Sequence, residues 1–97
     1  MVKLIWTDQA IDNLDEIGTY IAINSERYAK LTLKKLHERV DILKAFPLAG
    51  RIVPEKNEES VRELIEGNYR IIYEISPDKI IYILAVYHSA RNLKNQI

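Results

Sequence analysis

Residues 69–91, YRIIYEISPDKIIYILAVYHSAR, hold the most hydrophobic part of the chain and read as two strands around a turn at Pro77-Asp78. The second run, Ile80 to Tyr87, is apolar at successive positions. Such a strand is buried on both faces, so it belongs inside a sheet, with helices on one side and loops or a partner on the other. Three cations punctuate the hairpin: Arg70 near its start, and His88 and Arg91 after its second strand. If Ile75 pairs with Ile80, then Arg70 lies opposite Ala85 and shares a face with Tyr87. His88 then points to the other face, and only a bulge or an odd loop would bring it to Arg70.

Working back along the chain, VRELIE (61–66) is a third strand, joined to the hairpin by a turn at Gly67-Asn68. FPLAGRIVPEKNEES (46–60) interrupts helical order through Pro47, Gly50 and Pro54, with a brief extended piece at Arg51 to Val53. Before it, Ala29, Leu33, Leu36, Val40 and Leu43 repeat at helical spacing, widened by Tyr28 and Leu31. Ala10, Leu14, Ile17 and Ile21 form an earlier stripe of the same kind, and Asn24-Ser25 separates the two helices. Thr7 and Ser25 are natural N-caps, with Asp8 favourable in the first turn. VKLIW (2–6) is a short first strand. The order predicts an α+β fold: an N-terminal strand, an antiparallel helical hairpin, then a three-stranded antiparallel meander. One domain spanning residues 1–97 suits this length.

Fourteen basic and fourteen acidic residues cancel, which argues against a general binder of polyanions. The charges are segregated, however. Asp8, Asp12, Asp15 and Glu16 form an acidic stretch, whereas Arg27 to Lys44 carries a net charge of +4, including Lys34 and Lys35. There is no cysteine, and the apolar runs are far shorter than the ~18 residues of a membrane span. A cytoplasmic protein with no membrane association is the expectation. Two histidines, His37 and His88, without cysteine or a ligand-spaced motif give no metal site, and no glycine-rich phosphate loop or other cofactor motif is present.

FPLAGRIVPE, VRELIEGNYRIIYEI and IIYILAVYHSAR, in that order, resemble the ParE/RelE superfamily of bacterial toxins from type II toxin–antitoxin systems. The resemblance covers nearly the whole chain and implies a cognate antitoxin that wraps and neutralises the toxin. It also implies one of two activities. RelE-like members cut mRNA on the ribosome without a metal, and in that reading Arg70 matches a phosphate-stabilising arginine. His88 would act as acid or base, and Glu55 as general base. ParE-like members bind DNA gyrase with no chemistry of their own. Arg70, Arg91, Lys34, Lys35 and Tyr87 are then candidate contacts to a partner. A pI near 6.7 and an uninterrupted helical hairpin favour the ParE side over a strongly basic ribosome cutter. A module that only binds antitoxin is the third reading. The plain alternative for Arg70 is an ion pair with Glu63 or Glu74, and for Glu55 a solvated loop position.

Overall fold

The computed structural model describes residues 2–89. Strand β1 (Lys3–Trp6) leads into α1 (Asp8–Ala22) and α2 (Glu26–Asp41), and a 3-10 turn (Ile42–Lys44) follows. Four more strands complete a five-stranded sheet: β2 (Arg51–Ile52), β3 (Val61–Glu66), β4 (Tyr69–Ile75) and β5 (Ile80–His88). Their spatial order is β1-β5-β4-β3-β2. The meander is antiparallel, as expected, while β1 lies parallel to β5. Among the described residues, no helix is long and apolar enough to cross a membrane.

Both helix starts follow their sequence signals. The Thr7 hydroxyl accepts from the Ala10 N–H at 3.2 Å, and the Ser25 hydroxyl accepts from the Tyr28 N–H at 3.1 Å. Each satisfies one of the orphan donors at a helix start. The two apolar stripes then pack on the sheet, where Ala10, Leu14, Leu36, Val40 and Leu43 meet Leu64, Ile71, Tyr73, Ile81, Ile83 and Val86. The opposite face of the sheet has a smaller core of Val53, Val61, Ile72, Ala85 and Tyr87. β5 is therefore covered on both faces, with the chain around Val53 supplying the second cover.

The hairpin register differs from expectation in two places. Ile75 pairs with Ile81, not Ile80. The reason lies in the turn: Lys79 takes a φ of 63°, and the Ser76 N–H donates to the Ile80 carbonyl at 2.9 Å. Pro77, Asp78 and Lys79 thus form a three-residue loop closed by a left-handed residue. A bulge between Ile72 and Tyr73 then shifts the pairing once more, so Arg70 lies opposite Tyr87 rather than Ala85. Two single-residue shifts restore the side-chain parity. Arg70 and Tyr87 share a face, and His88, paired with Tyr69, points to the other.

Past Trp6, β5 loses its neighbour on the β1 side, while β4 continues beside it to His88. Asn13, almost fully buried on α1, fills the gap by accepting the Val86 N–H at 3.0 Å. A buried backbone donor without such a partner would be costly.

Candidate functional site

The Arg70 guanidinium faces away from the helices and is enclosed by carboxylates. Its Nε donates to Glu63 Oε1 at 2.7 Å, and Nη1 and Nη2 donate to the two oxygens of Glu55 at 3.0 Å each. Nη2 also approaches Glu63. Glu63 is directly across the strand pair from Ile72, with its side chain fully buried, and Arg51 Nε donates to its second oxygen. Glu55 reaches this cluster because the chain turns sharply behind Val53. The N–H groups of Lys56 and Asn57 both donate to the Val53 carbonyl, and Asn57 takes a left-handed φ of 53°. Asparagine tolerates that region better than most side chains.

The Arg70 fork hydrogen-bonded to Glu55 holds the Glu55 carboxyl down at about 2, against a smaller opposing push from burial. The same bond raises the pKa of Arg70. Both partners are locked in their charged forms. A carboxylate this weakly basic has little capacity to take a proton near neutrality. The Arg70 side chain, named above as a candidate contact to a partner, is only 11% exposed. Tyr87 is similarly buried, against Val53 and Val61.

His88 lies on the helix side of the sheet and is exposed, its ring edge-on to Tyr69 with centroids 5.7 Å apart. It lines a groove of about 500 Å³ together with Asn13, Glu16, Ile17, Tyr20, Tyr69 and Val86. A second groove of about 250 Å³ is lined by Tyr69 together with Ile21, Tyr28, Leu31, Lys35 and the turn at Gly67. Tyr69 lines both. Burial raises its hydroxyl pKa, with smaller contributions from Tyr28 and Tyr20 nearby. Tyr20, Ile23, Tyr28 and Leu31 leave the closed end of the helical hairpin notably apolar and exposed. Lys34 and Lys35 are exposed on α2, and Arg91 falls outside the described residues.

The structure therefore brings Arg70 and Glu55 together and keeps both from His88. Sequence reasoning missed Glu63 as the hub of the cluster and Asn13 as a strand cap. The first signal was a carboxylate alternating with apolar residues in VRELIE. The second was a single amide set into the helical stripe of α1.

A helical hairpin laid on one face of a small, mainly antiparallel, five-stranded sheet is the architecture that carries these groups. The family model described as "ParE toxin of type II toxin-antitoxin system, parDE" matches residues 4–93, and the chain belongs to that family. It is a toxin of a type II toxin–antitoxin system in the ParE/RelE superfamily. A Sinorhizobium fredii protein named toxin Y4kP is 36% identical over 89 residues, covering 90% of this chain and 88% of the relative. Toxin RelE2 of Caulobacter vibrioides is 28% identical over 91 residues, covering 94% and 99%. Among solved structures, the chromosomal ParDE system of P. aeruginosa superposes with a TM-score of 0.74 at 25% identity, covering 91% of this chain and 96% of that one. The RelBE2 complex of Mycobacterium tuberculosis shares the fold, with a TM-score of 0.64 at 22% identity over 90% and 96% of the two chains.

Proposed function

We propose that this toxin acts in the ParE manner, arresting growth by binding DNA gyrase, and that an antitoxin neutralises it in the cytoplasm. The observation that carries the choice is the Arg70 cluster. A metal-independent RNase needs a base, an acid and cations converging on one phosphate. Here the arginine is saturated by Glu63 and Glu55, Glu55 is a very weak base, and His88 lies across the sheet. A docking toxin requires none of those groups to be free. Catalysis is accordingly no part of this reading, and no metal or cofactor enters it.

The antitoxin would cover the tyrosine-walled grooves and the apolar end of the helical hairpin, where Tyr20 and Ile23 are each 75% exposed. A segment that folds onto that surface buries it and stabilises the native toxin by mass action. Lys35 and the exposed Lys34 would meet acidic residues of such a segment.

The RelE-like reading stays second, favoured by the exposed His88 beside Tyr69 and the likeness to a protein named RelE2. Purified toxin tested against gyrase supercoiling and against mRNA in a translation extract separates the two. Loss of supercoiling with intact message supports the ParE manner. Cleaved message with unaffected gyrase would establish the RNase instead.

A further inference from the structure

Three surfaces stand apart from the features already assigned: the acidic outer side of α1, the basic outer side of α2, and the loop 45–50 that follows the 3-10 turn. The two helix sides carry mainly charge, with only scattered apolar groups such as Ile11 and Leu31, each 45% exposed. The loop combines exposed apolar bulk with a rigid backbone and a cationic rim, so it takes the inference furthest.

Phe46 and Leu48 are 67% and 65% exposed, and Ile42 adds a partly exposed neighbour. Large side chains standing in water usually sit on pliable loops, but this backbone is fixed at nearly every step. The Phe46 N–H donates to the Ile42 carbonyl at 2.9 Å, and the Ala49 N–H donates to the Phe46 carbonyl at 3.0 Å. Tyr73, fully buried in β4, sends its hydroxyl through the sheet side to the loop. That hydroxyl donates to the Pro47 carbonyl at 2.8 Å and accepts from the Gly50 N–H at 2.9 Å. Arg62 Nη1 closes the far end on the Gly50 carbonyl at 3.0 Å. Gly50 is required by close approach: a Cβ there would lie 2.4 Å from the Glu63 carbonyl oxygen and 2.7 Å from the Tyr73 hydroxyl. Pro47 removes backbone freedom between the two exposed side chains.

Around them stand Arg39, Lys44, Arg51 and Arg62. Arg39 and Arg62 direct Nε to the backbone carbonyls of Ile65 and Glu59, which orients them without neutralising their charge. Both lie close enough to the Tyr73 hydroxyl to offset part of the upward pKa push that burial gives it. The Arg51 side chain is 66% exposed although it touches Glu63. Lys44 has a loose partner in Asp41 at 3.6 Å, both of them open to water.

We propose that Phe46 and Leu48 are a preorganised two-residue anchor that seats in an apolar socket on an acidic protein surface, the surface of the toxin's cellular target. The proposal rests on the reading that the toxin acts by docking. Fixing the two side chains during folding lowers the entropy lost on association, and a rigid aromatic anchor within a charged rim is the usual make-up of a binding hot spot. The cations select an acidic surround and speed encounter. A protein fits better than a nucleic acid, because the chain has no net charge with which to neutralise a phosphate backbone. The antitoxin surface is separate: α2 places the closed end of the helical hairpin roughly 24 Å from this loop.

The test compares wild type with the Phe46→Ser/Leu48→Ser double variant in three measurements: melting temperature, growth arrest on induction, and binding to purified DNA gyrase. Both side chains are surface groups, so the variant should melt within ~2 °C of wild type. Growth arrest should be lost and gyrase affinity should fall at least about 30-fold. Lys44→Glu should slow association several-fold, with a weaker salt dependence. A folded double variant that still arrests growth overturns the proposal. If wild type arrests growth without binding gyrase, the gyrase reading fails, while loss of arrest in the folded variant still supports the anchor. Binding of wild type to a short DNA duplex at about 0.15 M salt, lost in the variant, overturns the protein partner in favour of nucleic acid. Should the double variant melt early, Leu48→Ala alone decides on the same terms.

Discussion

Two regions of this toxin invert the usual expectation about which residues do the work. The cluster of Glu55, Glu63 and Arg70 is built from charged groups, yet it is turned inward and paired within itself, with the exposed Arg51 reaching it only at its edge. The loop 45–50 is built from apolar groups that a core would welcome, yet it holds them rigidly in water. Charge is spent on structure, and hydrophobic surface is left for recognition. The difference follows from energetics. A fully buried carboxylate must be matched by cations at good geometry, which leaves those cations little to offer a substrate. An exposed phenyl ring on a fixed backbone gains free energy only when something covers it.

The comparison breaks most visibly at Arg70. Arg70→Ala strips Glu63 of its main partner, and denaturant melts should show a loss of about 3–5 kcal/mol; a loss under about 0.5 kcal/mol would mark Arg70 as a surface group after all. Gly50→Ala forces a Cβ against backbone, and a loss of at least about 2–3 kcal/mol is expected by the same melts. Tyr73→Phe leaves the Pro47 carbonyl and Gly50 N–H without their hydroxyl, costing about 1–3 kcal/mol. Amide exchange should then quicken selectively at residues 45–50. The acid limb sharpens the contrast further. Glu55 has a folded pKa of about 2 against 4.5 for the free side chain, so its contribution is complete above 4.5 and disappears as the pH drops toward 2. Glu55→Gln should remove that part of the pH dependence, measured as stability from pH 6 to pH 2. The smallest effect is expected at the loop tip, where Phe46→Ala and Leu48→Ala should each change stability by less than about 0.5 kcal/mol.

Much of the fold was legible because its signals are local. Thr7 and Ser25 cap the helices they were expected to cap, and the apolar stripes of both helices reach the core. The meander order was likewise visible in its turns. What escaped depends on single backbone angles or on distant pairings. The left-handed Lys79 added a residue to the loop at Pro77, and the bulge near Ile72 added another shift, neither of which leaves a mark in residue type. The parallel pairing of Lys3–Trp6 with β5 joins the two ends of the chain, beyond any local pattern. At the candidate site, the pairing of Arg70 with Glu63 was one of the plain alternatives, being a neighbour across adjacent strands. Glu55 was not foreseen as its second partner, since only the left-handed turn at Asn57 carries that carboxylate back over the sheet. Exposure of Phe46 and Leu48 escaped as well, because in sequence they resemble core residues beside a proline.

The most direct test replaces the ion pair by apolar groups of similar size. An Arg70→Met/Glu63→Met variant should fold, below wild type by no more than the lost Glu55–Arg70 contribution, because the desolvation of the two buried charges is removed along with their attraction. Growth arrest on its induction is the decisive measurement. The ion cluster being structural, the folded variant should arrest growth as wild type does; a folded variant that leaves cells growing would show that the guanidinium itself acts on the target.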